Sequence, residues 1–218
     1  MLAMYARSNC ANMTYMTKII KSKSPKEAKR EVVFETAADV FAQYGFRRTA
    51  MNDIAKAAGI SRPALYLMFE NKEDLFRGVV LFRQSQGIDK AILILAGTGS
   101  IAERFNTSII AFEKVFYEPV AQSPHGAELM DASISIAADL MKKGQDRLEK
   151  SLARALEEAI SSKEVEFTGM SMTPLAFTCL LMSSISGLKK HATSTKGLRR
   201  QISEVTGIFF KAIQAVSQ

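Results

Sequence analysis

Residues 49–69, TAMNDIAKAAGISRPALYLMF, are the stretch from which the fold is read. A short helix is predicted from Ala50 to Ala58, with Thr49 placed to cap its free N–H groups and Asp53 in its first turn to suit the dipole. Gly59 stops it. A second helix begins after Ser61, another good N-cap, with Pro63 in the first turn where a missing N–H costs nothing. It ends near Phe69. Two short helices joined by a glycine turn have the geometry of a helix-turn-helix, whose second helix enters the major groove of DNA. Met51, Ile54, Ile60 and Leu65 can form its small core, and Ala55 lets the two helices approach closely. Arg62, Pro63 and Ala64 open the second helix with small or basic side chains that can stand against base edges.

Helical periodicity continues on both sides. Upstream, Pro25 to Tyr44 carries Val33, Phe34, Ala37, Val40, Phe41 and Tyr44 at helical spacing, with Gly45 ending it as a left-handed residue. Downstream, Asn71 caps a longer helix with Glu73 and Asp74 in its first turn and Leu75, Val79, Val80 and Phe82 on its apolar side. It reaches towards Leu95, where AGTGS breaks the pattern. Ile101 to Glu118 follows, ended by Pro119, then a short helix from Ala127 to Ser133 and a long one from Ala138 to Ser161. After a polar loop from Ser162 to Ser171, Thr173 and Pro174 start a helix to Ala192, and a last one spans Leu198 to Val216. Neither repeats nor strand alternation occur, so the expected class is all-α.

Composition agrees. The 218 residues are 47% hydrophobic, enough for a well-buried core, and the net charge of +7 is uneven. From Lys18 to Arg83 there are 13 Lys or Arg against 8 Asp or Glu, and from Gln84 onward 15 against 14. A basic first third suits a polyanionic partner, though a solvated lysine-rich surface gives the same count. Cys10 and Cys179 are too far apart for a disulfide framework or zinc site, which suggests a reducing, cytoplasmic setting. His125 and His191 alone offer little for a metal or catalytic site, and no cofactor is implied. No apolar run approaches the ~20 residues needed to cross a bilayer. The start, MLAMYARSNCANMTYMTKII, lacks the ordered regions of a secretory signal and is expected to be a flexible extension. Lys18, Lys21, Lys23 and Lys26 form a basic arm that either follows DNA phosphates or stays solvated.

The stretch VFETAADVFAQYGFRRTAMNDIAKAAGISRPALYLMFENKEDLF, from Val33 onward, closely resembles the DNA-binding domain of the TetR family of regulators. The telling pieces are FAQYGF followed by Thr49, the DIAKAAGIS segment, and ALY..F..KEDL with Asn71 ahead of Lys72. The resemblance covers roughly a fifth of the chain. It implies a flexible basic extension (1–24), a helix-turn-helix DNA-binding domain (25–72) and a C-terminal helical ligand-binding and dimerisation domain (73–218).

Residue roles carried over from it are as follows. Thr49 caps the second helix and touches a phosphate, and Asn52 faces the groove. Arg62 bridges guanine O6 and N7, the alternative being a phosphate contact. Pro63, Ala64 and Leu67 offer apolar contact to thymine methyls, Tyr66 donates to a phosphate, and Lys72 anchors the backbone. Met68 departs from the family, which commonly has a His or Tyr there reaching a phosphate. Affinity is then expected to lean on Arg47, Arg48 and the tail.

In the second domain Phe105, Phe112, Phe116, Met130, Met141, Phe177 and Met182 fall on inward faces. They are either ordinary core or the lining of an adaptable cavity for an apolar or amphipathic small-molecule effector. Ser183, Ser184, Ser186 and Gly187, with Ile208, Phe209 and Ile213, are expected at a four-helix homodimer interface, which implies a palindromic double-stranded operator. The expected function is a ligand-responsive repressor, with no membrane role. Alternatives are a non-specific DNA-binding protein using the same motif, or an enzyme. The enzyme reading finds neither a phosphate loop nor a metal cluster in the sequence.

Overall fold

The computed structural model describes residues 24–213 apart from 168–170. Lys18, Lys21 and Lys23 of the basic arm and the predicted end at Val216 lie outside the described residues. Among those described, secondary structure is helical throughout and strands are absent.

Helix α1, Pro25–Tyr44, opens with a capping box: Ser24 Oγ accepts from Glu27 N–H, and the Glu27 carboxylate accepts from Ser24 N–H. Gly45 closes it with φ 81° and ψ 161°. The positive φ is as expected, but that ψ is not left-handed helical, and the chain leaves α1 extended. Tyr44 is exposed rather than inward. Then come α2, Met51–Ala57, α3, Arg62–Tyr66, and α4, Lys72–Leu95, capped by Asn71.

Helix α5, Ile101–Phe116, is followed by α6, Glu118–Ala121. Pro119 does not end α5 but sits in the first turn of α6, where its missing N–H has no helical partner to lose. The two helices expected over 127–133 and 138–161 are one helix, α7, Gly126–Ser161, kinked at Ala137 (φ −129°, ψ 23°). Nothing between Ser133 and Ala138 is a glycine or proline, so the helix bends without stopping. Helix α8 is Pro174–His191, capped by Thr173, and α9 is Thr195–Lys211. The latter starts three residues earlier than expected because Ser194 Oγ accepts from Gly197 N–H and caps it there.

Two apolar cores result. The first gathers α1, α2, α3 and the N-terminal half of α4, including Phe41, Ile54, Leu65, Phe69, Leu75 and Phe76, and continues into α7 through Leu129, Ala132 and Ala137. The second joins the far half of α4 (Ile88, Ala91, Leu95) to α5, α7, α8 and α9. Helix α4 thus belongs to both.

Two contacts fix α4 against α7. Arg77 donates to the carbonyl of Ile136, beside the kink, at 2.6 Å and holds the Asp139 carboxylate through both guanidinium arms. Gly144 meets α4 so closely that an added Cβ would fall 1.8 Å from Gln84 Cδ. Gln84 is itself buried and donates to Met141 O, so it has nowhere to retreat.

Gly144→Ala is therefore expected to destabilise the protein by about 2 kcal/mol through overpacking, with Gln84→Ala restoring much of the loss. A melting temperature unchanged by Gly144→Ala would contradict this packing. Asp139 gives a pH signature. The hydrogen bond from Arg77 lowers its pKa from 3.8 to about 2. A depressed carboxylate stabilises above its unfolded pKa and loses that contribution as pH falls through the folded one. The stability gap between wild type and Asp139→Asn should hold constant above pH ~4 and close towards pH ~2, as followed by acid unfolding at graded pH.

Candidate nucleic-acid interface

Helices α2 and α3 have seven and five residues, too short to persist alone. They are held by burial of Ile54, Ala55 and Leu65 and by a tight connection. Gly59 adopts φ 65°, Ile60 N–H reaches Ala55 O at 3.0 Å, and Ser61 Oγ accepts from Ala64 N–H. Arg30 of α1 braces the far end, with its guanidinium 4.6 Å from the Phe69 ring centre and Nη1 donating to Met68 O at 3.2 Å. Its i,i+4 spacing to Phe34 is visible in the sequence, but the reach to Met68 is not. Met68 packs against the first core.

The outer surface of this unit carries Asn52, Arg62, Pro63, Tyr66 and Leu67, with Ala64 half-buried among them. Leu67 is 89% exposed and touches no core. The Arg62 guanidinium lies 5.5 Å from the Tyr66 ring centre, a stacking that holds a long cation in one place. Arg47 and Arg48 are exposed on the loop after α1.

One expected cap is corrected, and two side chains expected at DNA are bonded inside the protein. The N-cap of α2 is Ala50, not Thr49, and the Asp53 carboxylate accepts the Ala50 N–H at 2.9 Å. Thr49 is 2% exposed and donates its hydroxyl to Gly45 O at 2.6 Å, because the loop folds it against the end of α1. Its hydroxyl proton is engaged inside the protein. Lys72 also points inward. Its ammonium donates to the carbonyls of Phe46, Arg47 and Thr49 at 2.8, 3.2 and 2.9 Å and stands over the Phe46 ring. An ammonium has three protons, and all three are occupied. Lys72 ties the loop carrying Arg47 and Arg48 to α4.

The same loop is tied to α7. Arg47 N–H donates to the Glu128 carboxylate at 2.6 Å, and Ser123 Oγ donates to Ala42 O at 2.6 Å. Neither partner was legible in the sequence, since both lie 81 residues away.

Beneath this junction is a cavity of about 390 Å³, walled by Phe41 and Ala42 of α1, Phe76, Val79 and Val80 of α4, and residues of α5 to α8. Of the seven expected lining residues, Phe116, Met130 and Met141 face it. Phe105, Phe112, Phe177 and Met182 do not line it and are packed in the second core, Phe105 and Phe177 with ring centres 5.0 and 5.6 Å from that of Phe210. Periodicity identifies an inward position but does not distinguish solid core from cavity wall. The charged lining, Asp39, Arg83, Lys189 and Lys190, was missed. The Lys189–Lys190 pair reads in sequence as cations balancing a helix end.

Helix α8 exposes Leu175, Leu180, Ser183, Ser184, Ser186 and Gly187, of which Ser186 also lines the cavity, and α9 exposes Gly207 and Ile208. Ile213 is corrected, being fully buried in the second core, and Phe209 is half-buried against Phe177. Among the described residues, neither a cluster placed to hold a metal nor a helix long and apolar enough to cross a membrane occurs.

Among the described residues, a braced helix-turn-helix is followed by helices with a core of their own. Residues 33–79 match the family model for bacterial regulatory proteins, tetR family. The chain is 43% identical over 65 residues to the Escherichia coli K12 protein named "Probable acrEF/envCD operon repressor", a match spanning 30% of each chain. The fold resembles a transcriptional regulator from Cytophaga hutchinsonii (TM-score 0.66, 20% identity, 85% of this chain and 98% of that one). It also resembles SmeT, the repressor of the Stenotrophomonas maltophilia multidrug efflux pump SmeDEF (TM-score 0.64, 16% identity, 85% and 90%). The match to the tetR family model is confined to residues 33–79, the helix-turn-helix and the helices that brace it.

The contrast between an inward Lys72 and an outward Arg62 is measurable by urea unfolding. Lys72→Met should cost about 2 kcal/mol of stability, as expected for charge-assisted hydrogen bonds. Arg62→Ala should stay within ~0.5 kcal/mol of wild type. Equal stabilities for the two variants would count against the inward role of Lys72.

Proposed function

We propose that the protein is a homodimeric, sequence-specific DNA-binding regulator that holds a palindromic operator and releases it when a small apolar or amphipathic ligand enters the cavity. The observation that carries this reading is the outward Arg62–Tyr66 stack on α3, joined through a shared core to the two helices, α1 and α4, that also wall the cavity. In this reading residues 25–72 read DNA and residues 73–218 hold ligand and dimerise, in the cytoplasm.

Arg62 reads a guanine through its paired donors. Pro63, Ala64 and Leu67 meet thymine methyls, Asn52 faces the groove, and Arg48, with Arg47, contacts phosphates. Tyr66 donates to a phosphate from the edge of α3. Thr49 and Lys72 contribute by shaping the loop between α1 and α2 rather than by touching DNA. The exposed stripes of α8 and α9, with Leu180 and Ile208 at their centres, meet their twofold copies in a four-helix interface, and small residues allow close approach.

Release follows from differential affinity, since a ligand shifts only an equilibrium whose two states it binds unequally. Phe41 and Ala42 form part of the cavity wall, so an occupant presses on α1 directly as well as on α4. Moving either changes the spacing of the two α3 helices across the dimer. The repressor names of the E. coli relative and of SmeT support repression as the output.

A binding selection on genomic fragments, at stated salt because phosphate contacts are steeply salt-dependent, should recover one palindrome. Arg62→Ala should lose about 1–3 kcal/mol of discrimination at one base pair per half-site. Leu180→Asp with Ile208→Asp should yield monomers in sedimentation. Recovery of fragments without a common sequence would reduce the protein to a non-specific binder.

A further inference from the structure

Most of the cavity wall is apolar, but its charges are one-sided. Arg83 of α4 and Lys189 and Lys190 of α8 face it, against one carboxylate, Asp39 of α1. The last turn of α8 favours cations near its carbonyl end, which accounts for a positive charge there. It does not account for what lies behind Lys189.

Glu113 of α5 is 0% exposed, and its partner is Lys189, whose Nζ is 2.5 Å from Oε1. Among the described residues neither carboxylate oxygen has a hydrogen-bond partner, and the contact with Lys189 is an ion pair. Buried carboxylates are normally bonded on every side, because an unpaired charge in low dielectric is costly. Here the balancing charge comes from one ammonium that itself stands on the cavity wall. Tyr117 holds that lysine in place: its ring centre is 5.2 Å from Nζ, and its hydroxyl donates to Lys189 O at 3.3 Å.

The other charged groups around Glu113 cannot replace Lys189. Glu118 of α6 repels it, and Arg199 of α9 is committed to Glu118 through bonds of 2.7 and 3.1 Å. Burial pushes the Glu113 carboxyl up, with Lys189 pulling it down and Glu118 adding to the rise.

We propose that the cavity takes an amphipathic anion, a carboxylate on an apolar tail, with the carboxylate held by Lys189, Lys190 and Arg83 and the tail against Phe76, Phe116 and Met141. This rests on reading the cavity as the effector site. The incoming carboxylate shares Lys189 with Glu113. Deprived of much of its one counter-charge, Glu113 takes up a proton from solvent as the ligand enters. Binding of the anion is thereby coupled to proton uptake, which a neutral amphiphile does not cause. A cationic amphiphile meets three like charges against Asp39 alone.

Isothermal titration of the full-length protein with decanoate, decanol and decylamine separates these cases without any DNA. Decanoate should bind about tenfold more tightly than decanol, and decylamine should bind most weakly. Titrations in two buffers of different ionisation enthalpy should show net proton uptake for decanoate only. The paired variant Lys189→Met with Glu113→Gln, which leaves no buried charge unpaired, should cut the decanoate-to-decanol preference about tenfold and abolish the uptake. Lys190→Met, at an exposed position that does not support folding, should lower the same preference by a smaller factor. Decanol or decylamine binding as tightly as decanoate, or full preference retained in the paired variant, would overturn the anion assignment and leave the cavity as an effector site. Failure of all three to bind would overturn both.

Discussion

A helix of seven residues followed by one of five buries too little to hold itself, so the helix-turn-helix exists only while α1 and α4 close over it. Ile54 and Leu65 are fully buried because Phe41, Phe69, Leu75 and Phe76 surround them. Each such side chain contributes roughly 1.5–3 kcal/mol on burial, and that comes from Phe69 and neighbours in α1 and α4 rather than from α2 or α3 themselves. The exposed face of the helix-turn-helix thus depends on two longer helices. Whatever displaces those helices displaces Arg62 and Tyr66 with them.

Polar contacts make that dependence rigid. Lys72 gathers three carbonyls of the loop after α1, Glu128 takes the Arg47 N–H, and Ser123 reaches Ala42 O. Arg77 occupies the Ile136 carbonyl beside the Ala137 kink. Each satisfies a backbone group at a loop end or a bend. Together they join α1, α4 and α7 at one corner. The cavity lies at that corner, so its walls and the support of the helix-turn-helix are the same helices.

The interior of the second domain has a different character. Its apolar core is interrupted by acids, Glu113, Glu118 and Glu149, at 0%, 7% and 6% exposure. Buried ion pairs seldom add stability over apolar packing, since desolvation offsets the attraction. Glu118 meets Arg199 with two bonds and Glu149 takes bonds from Gln145 and Cys179, whereas Glu113 depends on Lys189. The least satisfied of the three is the one whose partner borders the cavity.

The sequence by itself determined the helices and most of their ends. Ser61, Asn71 and Thr173 cap where short polar side chains precede helical runs, and the motif from Thr49 to Phe69 marks a helix-turn-helix, because these signals depend on neighbours three or four residues away. Only the tertiary structure decided which way ambiguous side chains turn. Thr49 and Lys72 were legible as residues of the motif, but their hydroxyl and ammonium found carbonyls on the facing loop before any outside partner. Phe105, Phe177 and Ile213 went to solid core while Phe116, Met130 and Met141 went to a cavity. The charges around that cavity were invisible for the same reason. Asp39, Arg83, Glu113 and Lys189 sit on four helices, and helical periodicity says which face of its own helix a residue occupies, not which faces of other helices it will meet.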